Sequence, residues 1–278
     1  MATVNYAIDY AQAVDERFKL GSLTAGIVNN NYDWLGVETV TVYSVPTVAM
    51  GNYTASGANR YGSPTELGNE KQEMKVAQDR AFTFTIDRKS YDDTMMTMEA
   101  GAALRRQIDE VVIPEIDTYR IAALVSGADA GNILKEIAVT KANAYEMFLA
   151  VQEKLDDAKV PTAGRICLCT PGYYNMLKLD EAFTKKGDMA TQIAMTGLVG
   201  ECDGVYFIKA PTSYFPENTN FVITNPLVTP SPIKLAEYKI HQDAPGISGW
   251  LVEGRIRYDA FVLSQKKKAI GVCQNPAG

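Results

Sequence analysis

Residues 50–75 read MGNYTASGANRYGSPTELGNEKQEMK, with glycines at 51, 57, 62 and 68 and few large apolar side chains. The flanks are quite different. Upstream, TVTVYSV (39–45) sets Val40 and Val42 against Thr39, Thr41 and Tyr43, which is the period of a half-buried strand. Downstream, AFTFTI (81–86) puts Phe82, Phe84 and Ile86 on one face and Thr83 and Thr85 on the other, and the two runs read as matching strands. A structureless stretch this long is uncommon inside a compact domain. It is either disordered or held by contacts with another molecule.

Beyond these strands the period changes to that of a helix. Ser90 followed by Asp93 resembles a capping box, and Asp92 adds negative charge to the first turn. Met98, Ala102, Leu104, Ile108, Val111 and Val112 recur at helical spacing, Pro114 interrupts, and Ile116, Tyr119, Ala122 and Ala123 resume. A proline inside a helix kinks or ends it, so the sequence predicts one long kinked helix from about Ser90 to Val125. GADAG (127–131) is the natural boundary after it. Thr140 then opens a second helix, with Ala144, Met147, Phe148, Val151 and Leu155 on one face. RICLCT (165–170) reads as a buried strand, and Thr170-Pro171 as the cap and first-turn proline of a short helix. Further strands are predicted at 205–210, 220–224, 233–241, 250–263 and 269–273. At the other end Tyr6–Val14 has helical character, but residues 1–35 carry too few apolar groups for a core of their own and read as an arm.

Composition narrows the function. The chain has 278 residues, 27 Lys plus Arg against 33 Asp plus Glu, a net charge of −6, and 46% hydrophobic residues. Those are ordinary globular values, and the mild acidity argues against a protein built mainly to grip nucleic acid or an anionic membrane. No apolar run approaches the ~20 residues of a membrane span, and the first residues lack an export signal. The four cysteines, at 167, 169, 202 and 273, have neither the spacing nor the histidines of a zinc site and read as small apolar side chains. His241 is the only histidine, so any Ser–His or Cys–His chemistry must pass through it; it sits at a strand end, where a surface role is the commoner one. Nucleophile-elbow, P-loop and dinucleotide-binding motifs are absent from the sequence. Asp109, Glu110, Glu115 and Asp117 share the long helix, and Asp156 and Asp157 adjoin on the next; such neighbours read as solvated faces, or as pairs with Arg105, Arg106 and Arg120, rather than acid–base pairs. Lys266, Lys267 and Lys268 form a basic run too short for a nucleic-acid patch. No catalytic, cofactor-binding or metal-ligating residue is assigned, and no cofactor is expected.

Three segments in combination, QDRAFTFTIDRKSYDD (78–93), VVIPEIDTYR (111–120) and LVEGRIRYDAFVL (251–263), together with the order of parts, resemble the major capsid protein of tailed bacteriophages. The likeness covers about residues 35–130 and 249–273, and the middle follows in element order. The resemblance implies an α+β fold in five parts. These are an N-terminal arm (1–37), an extended β-hairpin loop (38–87), a peripheral domain with a spine helix (88–131), an axial α/β domain (132–248), and a return to the peripheral domain (249–278). It implies a non-enzymatic structural subunit that self-assembles into pentamers and hexamers of an icosahedral virion capsid around double-stranded DNA, put together in the host cytoplasm. Its partners would be other copies of itself, a separate scaffolding protein and a portal, with DNA touched weakly and non-specifically and no membrane. Lys71 and Lys75 lie in the loop but match no crosslinking motif, so no covalent crosslink is assigned. Two alternatives remain at this point: an encapsulin-like shell around cargo enzymes, and a carboxylate-dependent enzyme with acids from two elements in one pocket.

Overall fold

The computed structural model describes residues 21–29, 31–32, 39–93, 99–181 and 200–276. The helical reading of Tyr6–Val14 and the place of Met98 fall outside those residues.

The strand β1 (Thr39–Ser44) does pair, but not with the run at 81–86. Its antiparallel partner is β2 (Glu70–Lys75), with Thr39 opposite Lys75 and Ser44 opposite Glu70. The run at 81–86 lies instead in β3 (Gln78–Asp87), the edge of a second sheet whose order is β3, β10 (Gly249–Tyr258), β9 (Ile233–Gln242), all antiparallel. The apolar face of β3 explains the choice: Phe82, Phe84 and Ile86 stand opposite Gly254, Val252 and Trp250. Gly254 is the slot of that face, since a Cβ there would lie 2.4 Å from the Phe82 ring. Phe82 and Tyr238 stack across it at 6.2 Å, covering the glycine from both sides.

A short helix α1 (Arg88–Asp93) follows, capped by Asp87, whose Oδ1 accepts from Lys89 N at 2.9 Å. Ser90 therefore lies inside the helix rather than at its cap. The long helix is α2 (Ala100–Gln107) and α3 (Ile113–Gly127), continuous through a π-helical turn at Ile108–Val112. That turn deals with Pro114. Proline has no N–H and would clash with the carbonyl of an ordinary preceding turn; the wider turn, closed by Ile113 N–H donating to Ile108 O, carries the helix into it. The helix ends at Gly127, where a Cβ would lie 2.4 Å from Val262.

The third sheet has the order β4 (Ile133–Leu134), β11 (Gly271–Gln274), β8 (Thr219–Thr224), β5 (Arg165–Cys169), β7 (Val205–Lys209), β6 (Glu201–Cys202). Both of its faces are covered, which is why RICLC and NFVIT have no polar alternation. On one face α4 (Ala144–Asp157) and α5 (Pro171–Leu179) bury Phe148, Val151, Leu155 and Tyr173 against Cys167, Cys169 and Phe221. The other face packs Leu168, Val222 and Val272 on Ile121, Leu124 and Val125 of α3 and on Ile27 of the arm. α4 starts at Ala144 rather than Thr140; Thr140 instead donates to Asn143 Oδ1 in the turn before it. Thr170 caps α5 as expected, accepting from Tyr173 N at 3.3 Å. The predicted strand 250–263 stops at Tyr258, and the backbone of 259–263 bonds to residues 228–232.

Candidate assembly surface

Every residue from 45 to 69 is exposed and none is in a strand or helix. The order at the tip is local: Thr54 N donates to Arg60 O, Gly62 N to Asn59 O, Arg60 Nε to Gly57 O, and Tyr53 and Tyr61 meet edge to face at 5.1 Å. Met50 (101% exposed), Tyr61 (91%) and Val48 (63%) present large apolar groups to solvent. The tip rides on a two-stranded ribbon, which is marginal in water by itself.

What holds the ribbon is its root. Met74 and Val76 are buried there, and Gln72 uses both ends of its amide, donating to Val262 O at 2.9 Å and accepting from Ser264 N at 2.8 Å. Glu70 accepts from Gln265, and Ala77 N donates to Asp259 Oδ2 at 2.8 Å. The hairpin is thus a fixed lever with an uncovered end. β2 escaped the sequence reading because EKQEMK shows only Gln72 and Met74 as inward residues among charges.

The arm is held by the carboxylates that read as a solvated face. Asp117 is 1% exposed; its Oδ1 accepts from Ser22 Oγ (2.9 Å) and Thr24 Oγ1 (2.5 Å), and its Oδ2 from Leu23 N (2.8 Å). Arg120, one helical turn on, donates to Thr24 Oγ1 (3.1 Å) and Ser231 Oγ (2.7 Å). Burial pushes its guanidinium below the usual range, and Asp117 offsets part of that. Ser231 Oγ donates to Asp259 O, and Asp259 Oδ1 accepts from Tyr119 OH at 2.8 Å. Arm, spine helix and the last two long segments therefore meet in one buried polar knot. A charge spaced for the helix interior was the missed signal, since its partners are remote in sequence.

The other singled-out residues are dispersed. Glu115 accepts from Arg80 (2.7 Å) and Tyr258 OH (3.1 Å). Asp156 meets the buried Arg165 at 2.6 Å, so it too is a structural partner. A cavity of about 540 Å³ beside the knot is lined by Arg120, Ser231, Lys234 and arm residues, with no carboxylate among its described lining residues. Acids from two elements do not converge in it; Glu237 of β9 and Glu253 of β10 do share a depression of about 430 Å³ on the three-stranded sheet, together with Lys239 and Arg255. His241 is exposed on β9, 3.4 Å from Glu253. Lys71 pairs with Glu73 at 2.5 Å on β2. Lys266, Lys267 and Lys268 lie in a 3₁₀ turn at Ser264–Ala269, where Lys266 Nζ donates to Leu227 O at 3.0 Å. Among the described residues there is no group of three or more His, Cys, Asp or Glu able to hold a metal.

All four cysteines are free and buried in the helix-covered face of the six-stranded sheet. Burial pushes the thiols of Cys169 and Cys273 up to about 12, and that of Cys167 well above its ordinary value. Because the shift is upward, thiolate is scarce at neutral and mildly alkaline pH. A thiol reagent at pH 8 is expected to label the native protein at least a hundredfold more slowly than the urea-unfolded chain. Fast native labelling of any cysteine would contradict this packing.

No protein-family model matches the chain, and neither does any curated protein sequence. Solved structures do match over its whole length. One described as Mycobacterium phage Che8 superposes with a TM-score of 0.74 at 15% identity, covering 98% of both chains. The capsid structure of the cyanophage P-SCSP1u gives 0.73 at 12% identity, over 98% of this chain and 93% of that one. The asymmetric unit of the bacteriophage PhiM1 mature capsid gives 0.70 at 11%, over 98% and 92%. The chain has the fold of these phage structures, the last two of which are described as capsids.

Proposed function

We propose that this chain is the repeating structural subunit of an icosahedral phage capsid, assembling into pentamers and hexamers around double-stranded DNA. The observation that carries the reading is the anchored hairpin whose end, 45–69, is exposed throughout: a fixed lever with apolar groups at its tip needs another molecule to cover it. Rings built from one chain supply that cover, because each subunit's lever can lie on the next and the contact closes by rotation.

In this reading residues 1–37 are the arm, the β1–β2 ribbon and its tip the extended loop, the spine helix with the sheet β3-β10-β9 the peripheral domain, and the six-stranded sheet with α4 and α5 the axial domain. β3 (Gln78–Asp87) and β9 (Ile233–Gln242) thus go with the peripheral part and β11 (Gly271–Gln274) with the axial part, which corrects the bounds 38–87, 132–248 and 249–278. The protein is not an enzyme; it resides in the virion after assembly in the host cytoplasm, aided by a separate scaffolding protein and a portal. DNA meets the wall through weak, salt-sensitive contacts, consistent with the −6 charge and with Lys266 already bound to a carbonyl.

Electron microscopy of the purified protein, with and without a scaffolding protein, tests this. Closed shells or rings of five or six subunits are the expected result. A sharp monomer at high concentration in both conditions would overturn the reading.

A further inference from the structure

Strand β9 is ten residues long and has β10 on one side only; among the described residues no strand pairs with its other edge. From residue 235 to 242 it runs in unbroken register with β10, so the free edge is straight over that stretch. Such an edge is a template for another chain unless charges or bulges blunt it. Its exposed charges alternate in sign: Glu237 and Lys239 are 53% and 61% exposed on the outer face, their charged atoms 3.4 Å apart.

We propose that β9 pairs antiparallel with β9 of a second copy of this chain, about a two-fold axis through Tyr238. The argument is one of register. A dyad perpendicular to the sheet continues each face into the same face of the second copy, and it allows only registers centred on a residue. Centring on residue 237 sets Glu237 against Glu237, and centring on residue 239 sets Lys239 against Lys239. Centring on Tyr238 sets Glu237 opposite Lys239 of the second copy, twice, and Ala236 opposite Ile240, twice. Ile240 is 44% exposed in the single chain, and Tyr238, stacked on Phe82, would continue the aromatic row across the dyad. Opposite charges directly across strands stabilise and like charges repel, so of these three the sequence selects one. The two sheets of three strands join into one of six. This contact does not rest on the shell reading, since it needs only two copies.

The test uses charge reversal in the full chain, at exposed positions, read as dimer dissociation by sedimentation below the concentration at which larger assemblies form. Glu237→Lys places lysine against lysine twice, and Lys239→Glu places glutamate against glutamate twice. Each variant is expected to dimerise roughly tenfold more weakly than the parent. Mixed in equal amounts they restore both cross-strand pairs, although the Glu237–Lys239 pair within each chain stays broken. The mixture is therefore expected to regain parental affinity, an outcome a loss of fold would not give. A monomeric parent at high concentration, single variants that dimerise like the parent, or a mixture no better than its components would each overturn the proposal. Absence of shells under the microscope would leave this dimer test unaffected.

Discussion

Deleting residues 51–66 is expected to abolish assembly while leaving the body of the subunit folded. The segment is exposed at every position, so its removal exposes no core, and the β1–β2 register from Thr39 opposite Lys75 to Ser44 opposite Glu70 is left intact. Shortening a flexible connection lowers its closure entropy cost, by about 1 kcal/mol or less for a change of this size. Tm should therefore stay within about 2 °C of the parent, while particles disappear from electron micrographs. A drop in Tm of more than about 5 °C with shells still forming would mean that the tip packs within its own subunit.

Asp117→Ala is expected to be the most damaging single substitution outside the apolar core. It removes the acceptor for Ser22, Leu23 and Thr24 and a carboxylate that offsets part of the burial of Arg120, itself 5% exposed. Leaving the three donors without their acceptor, at about 1–3 kcal/mol per unsatisfied buried group, costs about 3–5 kcal/mol in all. For a chain of this size that corresponds to a fall in Tm of roughly 10 °C. Loss of the arm's anchor adds a second readout, faster proteolysis near residues 22–29. Asp117→Asn, which keeps an acceptor, should cost less. A Tm within about 2 °C of the parent for the alanine variant would show that the knot holds nothing together.

Local pattern was readable and partnership was not. The alternation of Phe82, Phe84 and Ile86 announced a strand, yet periodicity is silent about which strand lies opposite; the answer depends on Gly254, distant in sequence, leaving room for a ring. The apolar run at 165–169 was legible because two covered faces demand it. β2 was hidden since charged residues dominate a strand with little to bury. Asp117 passed for a surface charge because a carboxylate's burial is decided by donors that the fold brings from the arm. The free end of the hairpin was the clearest signal of all, and it was legible as something missing: a long stretch with too few apolar residues to pack against its own chain.

The π-helical turn at Ile108–Val112 also acts as a phase corrector. Successive residues of an α-helix advance by about 100°, so Ile116, sixteen positions after Ala100, would stand about 160° round from it in an uninterrupted helix, close to the far side. Absorbing one residue in the wide turn brings that offset back to about 60°. Ala100 can then bury against Val252 at one end of β10 while Val112 and Ile116 bury against Ile256 and Tyr258 at the other. The surplus residue sits where the helix is already loosened for Pro114. A chain one residue shorter within that turn would still aim both ends of the spine at the same strand, giving this one stretch a tolerance of length that a uniform helix does not have.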